Sequence, residues 1–221
     1  AGDRVAIMLP NCPQTVISYW ACLKLGAVVV MTNPLYMEKE LVHHFNDSEA
    51  KTLITLNLLW KRINGLRDKL RLKRIFVTSI ADCLGFPLNF LYGIKSRREY
   101  KLEPIPYDGT TVLPWKSLLP RTAIEDAHPV DPAKDLAALQ YTGGTTGVSK
   151  GVMLTHANLG YNAQQARAIL HTIKDSGEVM LGLLPFFHIY GLTVCVNFGT
   201  MIGATLVPMA KFVPLDVLKT I

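Results

Sequence analysis

Val28-Val29-Val30-Met31 is a run of β-branched and apolar side chains with no polar residue in either phase. A strand with one wet face alternates; a strand without alternation is covered on both faces, as in a parallel sheet layered between helices. Upstream, Arg4–Leu9 is another short apolar run, closed by Pro10-Asn11, and Cys12–Leu25 carries helical periodicity as far as Gly26. Downstream, Pro34 breaks the chain, Glu38–Asn46 reads as a helix and Lys51–Thr55 as a strand. Leu59–Leu70 reads as an amphipathic helix and Arg74–Thr78 as one more strand. Strands separated by helices of this length predict βαβ units.

From Ile80 to Pro132 the periodicity dissolves into seven prolines, scattered aromatics and charges, so residues 80–132 are expected to be an irregular connector. Order returns with a strand at Leu136–Tyr141, a glycine-rich loop and a return strand at Gly151–Leu154. Thr155 or Asn158 can cap a helix reaching His171. Strand Val179–Leu184, a helix over about Tyr190–Ile202, strand Thr205–Val207 and a helix from Pro214 close the chain. The expected class is α/β: layered, mostly parallel sheets flanked by helices. The expected portions are 1–79, the connector, and 133–221, with both ends reading as cuts.

With 49% apolar and 18% charged residues, the 221-residue chain has the makings of a packed core. Its formal charge of +6 is concentrated in Arg67, Lys69, Arg71, Lys73 and Arg74 and again in Lys95, Arg97, Arg98 and Lys101. These runs read first as solvated surface, with contact to anionic lipid or a polyanionic substrate as the alternative. No aromatic platform accompanies them, so nucleic acid is not an expected partner. Cys12, Cys22, Cys83 and Cys195 are scattered, without metal-site spacing, and read as free thiols of a reducing, cytoplasmic compartment. Val179–Ala210 lacks Asp, Glu, Lys and Arg, yet Pro185 and four glycines interrupt it, so it is read as strand, loop and buried helix, not as a membrane span.

The chemistry concentrates in Tyr141-Thr142-Gly143-Gly144-Thr145-Thr146-Gly147-Val148-Ser149-Lys150-Gly151. Glycines let successive backbone N–H groups turn inward as a nest for anions. Threonine hydroxyls add donors and Lys150 adds a point charge, so a polyphosphate is the natural occupant. The spacing is neither that of a Walker loop, because a strand follows the lysine, nor that of a dinucleotide fingerprint.

The whole stretch Leu139–Leu159, LQYTGGTTGVSKGVMLTHANL, resembles the signature loop of the adenylate-forming superfamily: acyl-CoA synthetases, peptide-synthetase adenylation domains and firefly-type luciferases. Two further blocks agree in order and spacing, Leu184-Pro185-Phe186-Phe187-His188-Ile189-Tyr190-Gly191 and Leu23–Val30 running on to Asn33-Pro34. Ser149 departs from the proline that many members carry before the lysine. Within the superfamily, the loop and PLNFLYGIKSRR (87–98) are most similar to long-chain fatty acid–CoA ligases.

The resemblance implies an enzyme that joins ATP and a fatty acid to acyl-AMP and then transfers the acyl group to coenzyme A. It implies that Thr142, Gly143, Gly144, Thr145, Thr146, Gly147 and Lys150 hold the β- and γ-phosphates, with Thr142 beside Mg²⁺. It places His188 near the acyl carboxylate, with Phe187 and Tyr190 as pocket wall or core. His156 is assigned to the turn, and His43-His44 suggest no role. The family's adenine and ribose motifs, its glutamate for magnesium and its mobile lobe fall after Ile221, so this piece by itself is not expected to turn over. An aryl or short-chain acid remains an alternative substrate, and a lipid-binding module without catalysis an alternative class. Peripheral membrane contact and self-association stay open.

Overall fold

A computed structural model describes residues 1–119, 126–143 and 148–221. β1 (Arg4–Met8), β2 (Val28–Met31), β3 (Thr52–Leu56), β4 (Arg74–Thr78), β5 (Val112–Pro114), β6 (Leu136–Thr142) and β7 (Lys150–Thr155) form one sheet in the order β5-β4-β3-β1-β2-β6-β7. Neighbours run parallel except β6 and β7, which are antiparallel. β8 (Val179–Gly182) and β9 (Thr205–Pro208) make a second, parallel pair. The fold is α/β with mostly parallel sheets, as the unalternated β2 requires.

The helices are α1 (Pro13–Lys24), α2 (Glu38–Asp47), α3 (Trp60–Asn64), α4 (Leu88–Tyr100) and α5 (His156–Ile169). Next come α6 (Ile189–Gly191), a π-helical stretch Leu192–Phe198 and α7 (Gly199–Met201) in direct succession, and finally α8 (Pro214–Thr220). Alternate strand residues feed two cores. Ile7, Val29 and Met31 pack with Tyr19 and Cys22 of α1, Leu159 of α5, and Leu192 and Val196. Ala6, Met8, Val28 and Val30 pack with Leu41 and Phe45 of α2 and with Trp60 and Ile63 of α3. Both faces of β2 are therefore covered, and each such side chain contributes about 1.5–3 kcal/mol.

The local signals explain several ends. Gly26 has φ +67° and closes α1, with its N–H on the Leu23 carbonyl and the Ala27 N–H on that of Cys22. A capping box opens α5: the Asn158 N–H donates to Thr155 Oγ1 at 3.2 Å and the Thr155 N–H to Asn158 Oδ1 at 2.9 Å.

Two stretches differ from expectation. Leu59–Leu70 is not one helix: α3 stops at Gly65, whose N–H reaches the Lys61 carbonyl, and a 3-10 turn at Arg67–Lys69 follows. Trp60, Ile63, Leu66 and Leu70 are still buried, so the apolar spacing was sound while glycine broke the helix. The stretch 80–132, read as irregular, contains α4 and an edge strand, β5, which joins the main sheet through Ile75↔Val112 and Val77↔Pro114. Of the cysteines, Cys12, Cys22 and Cys195 are buried, Cys83 is exposed and all are free; burial pushes the Cys22 thiol up to about 12. Among the described residues no helix is long and apolar enough to cross a membrane.

Candidate active site at the carboxyl edge of β6

β6 is buried from Ala137 to Tyr141 and emerges at Thr142 and Gly143, which are exposed. β7 returns antiparallel, in a register that sets Thr142 opposite Lys150 and Tyr141 opposite Gly151. Directly opposed residues hold their Cβ atoms about 4.5–5.5 Å apart. The hydroxyl and the ammonium thus flank the mouth of the hairpin. Lys150 is exposed and makes no ion pair among the described residues. No Asp or Glu occurs between Leu136 and Lys174, so nothing within the segment neutralises that charge. Gly144, Thr145, Thr146 and Gly147 lie outside the described residues.

The base of the hairpin leans on α2. A Cβ on Gly151 would stand 3.0 Å from the Tyr141 ring, so the glycine lets β7 lie flat on the tyrosine. The Tyr141 hydroxyl donates to Asp47 Oδ2 at 2.5 Å, and its ring lies 4.1 Å from that of His44. Burial, followed by the Asp47 carboxylate, pushes the Tyr141 hydroxyl up. His44 is fully enclosed; desolvation, then the neighbouring His43, brings it down to about 4. The Thr32 hydroxyl donates to the Val30 carbonyl and receives His44 Nε2 at 2.9 Å, leaving Nδ1 as the buried, unpartnered lone pair. His44 is thus a neutral core histidine.

His43 is different. Its Nε2 meets the Ser149 carbonyl at 3.0 Å, one residue before Lys150. The adjacent pair, unassigned from residue types alone, divides its work: one imidazole packs the core and the other holds the loop's exit. His43→Ala should accelerate amide exchange around residues 148–150 while costing global stability only about 1 kcal/mol, the net value of one hydrogen bond. Hydrogen–deuterium exchange with mass spectrometry on the full-length protein reads both, and unchanged protection of that peptide would remove His43 from this role.

His188 sits on the loop between β8 and α6. Its N–H bonds the Pro185 carbonyl at 3.0 Å, and its Nδ1 accepts the Tyr190 N–H at 3.3 Å, capping α6. The imidazole is exposed, Phe186 is wholly buried, Phe187 is half-buried and Tyr190 is exposed. Two buried amides dock this loop. Gln140 Nε2, two residues before Thr142 on β6, donates to the Phe187 carbonyl at 2.9 Å. Asn11 Nδ2 donates to the carbonyls of Gly182 (3.0 Å) and Leu184 (2.8 Å), and Asn11 Oδ1 accepts the Phe186 N–H at 2.8 Å. The His188 loop is thereby tied to the strand that launches the glycine-rich hairpin. Asn11, Gln140 and His43 were not singled out from sequence, because each acts on a partner far along the chain.

A cavity of about 620 Å³ lies elsewhere, beyond the carboxyl ends of β3, β4 and β5, lined by Thr78, Ser79, Asp82, Arg97 and Lys116 among others. Four strand spacings separate β4 from β6, about 19 Å. The hairpin mouth, with its uncompensated cation, is the better candidate for the chemistry.

The chain is similar to known proteins along its whole length. The chain is 42% identical, over its full length, to a long-chain-fatty-acid–CoA ligase of Bacillus subtilis, and covers 39% of that protein. A long-chain-fatty-acid–CoA ligase of Archaeoglobus fulgidus superposes on 99% of the chain with a TM-score of 0.73 and 28% identity, the chain covering 37% of it. ATP-bound MatB of Rhodopseudomonas palustris does so with a TM-score of 0.72 and 25% identity, again with 37% of that chain covered. The chain thus spans well under half the length of these relatives. The AMP-binding enzyme family matches residues 1–221, from the first residue to the last, and the chain belongs to that family.

Proposed function

We propose that the protein to which this chain belongs is a long-chain fatty acid–CoA ligase that works through an acyl-adenylate. The observation that carries the reading is the opposed pair of Thr142 and Lys150 at the hairpin mouth, in a chain 42% identical throughout to a ligase of that name. In the first step a carboxylate oxygen bonds to the α-phosphorus of ATP and the bond to the bridging oxygen breaks, releasing pyrophosphate. In the second the thiol of coenzyme A bonds to the acyl carbon, loses its proton and displaces AMP.

The chain's own part is to hold the leaving group. Lys150 and the backbone of Gly143, together with Gly144, Thr145, Thr146 and Gly147, would bind the β- and γ-phosphates. Charge builds on the pyrophosphate as its bond breaks, and preorganised donors favour that state over the ground state. Mg²⁺ suits the site: it keeps several waters and takes few protein oxygens, and the exposed Thr142 hydroxyl is one hard donor beside the phosphates. When bound, the ion neutralises phosphate charge. His188, exposed and fixed at the N-terminus of α6, would orient the acyl carboxylate.

The test is ATP–pyrophosphate exchange by the full-length protein against a panel of acids. Long-chain fatty acids should support exchange, and short-chain and aryl acids should not; the reverse order would replace the substrate assignment. Lys150→Ala should lower kcat/KM for ATP about ten- to hundredfold, the loss of a charge-assisted contact of about 1.5–3 kcal/mol, with the fatty acid KM little changed. Parental kinetics for ATP would remove Lys150 from the phosphate site.

A further inference from the structure

α4 is built inside out. A surface helix normally turns apolar residues inward and charges outward. Here the inward face, packed toward the 3-10 turn at Ile80–Cys83, consists of buried Ser96 with half-buried Asn89, Tyr92 and Gly93. The outward face carries Phe90, Leu91 and Ile94, and the lead-in adds Phe86 and Leu88; Phe86 is 86% exposed and Phe90 62%. Among these apolar residues stand Lys95, Arg97, Arg98 and, just past the helix, Lys101, all exposed, against the single carboxylate Glu99. None of the four cations forms an ion pair among the described residues.

From this we propose that α4 is a membrane-docking element that seats the protein on an anionic lipid bilayer, parallel to its surface. The charge pattern selects the occupant. A protein surface covering this face would have to desolvate four cations and supply a carboxylate for each. An anionic bilayer accepts them as they are: the ammonium and guanidinium groups stay at headgroup level while the phenylalanine and leucine side chains enter the acyl boundary. Thirteen residues make a helix about 20 Å long, enough to lie in the interface and too short to span it. α4 belongs to the β4–β5 end of the sheet, so the docking face and the β6–β7 hairpin can act independently. Docking through α4 does not depend on which acid is the substrate.

Flotation of the full-length protein with vesicles tests it, using phosphatidylcholine with and without phosphatidylglycerol, at low and high salt. The parent should float only with phosphatidylglycerol and be released by salt. Phe90→Ser/Leu91→Ser and Arg97→Ala/Arg98→Ala should each lower the partition coefficient on the order of tenfold or more, with melting temperature and adenylation rate in solution unchanged. Variants that float like the parent would overturn the proposal, as would a parent that ignores phosphatidylglycerol. A lower melting temperature in the serine variant would also overturn it, since the face would then be packed against the protein itself.

Discussion

Asn11→Ala in the full-length protein should destabilise it by about 3–5 kcal/mol and slow adenylate formation in the same variant. Asn11 is buried at the end of β1 and serves three backbone groups of the loop after β8. Alanine leaves the Leu184 carbonyl and the Phe186 N–H without their Asn11 partner and takes one of two donors from the Gly182 carbonyl, which keeps the Met209 N–H at 3.0 Å; each unmet buried group costs about 1–3 kcal/mol. The upper end of the sum is not reached, because a loop freed from its tether can turn some groups toward water. Asn11→Asp should not rescue: its carboxylate can receive the Phe186 N–H but faces the Gly182 and Leu184 carbonyls with nothing to donate. Urea unfolding gives the stability change, and single-turnover adenylation reports whether the His188 loop has loosened. A loss under about 1 kcal/mol would mean that the loop is held by packing alone.

Gly191→Ala should cost about 3 kcal/mol and raise the KM for the acid. A Cβ there would overlap the Pro185 carbonyl oxygen, 2.8 Å from the carbonyl carbon behind it and 2.9 Å from the Leu184 oxygen. These are backbone atoms and cannot rotate aside, so α6 and the 184–188 loop must part. The strain is purely one of space, since Gly191 has the helical φ of −64° that any residue tolerates. Because His188 caps α6, the displacement reaches the imidazole, and substrate positioning should suffer with stability. Thermal unfolding and initial rates over a range of acid concentrations check both; a variant with the parent's melting temperature and KM would show that the two segments are not in close contact.

What could be read from sequence was what is encoded locally. The unalternated β2, the glycine that ends α1 and the Thr155 capping box each carry their signal within a few residues, so class and element order were legible. α4 was not, because a helix is recognised by an apolar stripe that faces a core, and this one turns half-buried Asn89 and Gly93 and buried Ser96 inward instead. β5 escaped notice as three residues ending in proline, which an edge strand tolerates and a central one does not. At the candidate site, Thr142, Gly143 and Lys150 stood out because the chemistry is written in their residue types, and His188 only through the resemblance carried by the block Leu184–Gly191 around it. Asn11 reaches partners 171 to 175 residues away, and His43 one 106 residues away. Contacts of that kind exist only after folding, and a single sequence carries no trace of them.

The strand order also has a consequence for synthesis. β1, β2, β3 and β4 leave the ribosome early, yet one edge of β2 is reserved for β6, which lies more than a hundred residues later, with Val29 opposite Ala138. At about 5–20 residues per second, that edge waits on the order of 5–20 s with its backbone groups unpaired. The waiting strand is Val28–Met31, apolar on both faces and unprotected by charge or proline. A nascent chain of this protein therefore presents its stickiest segment for longest, and a holding chaperone would find its best grip there until residues 136–142 arrive to close the gap.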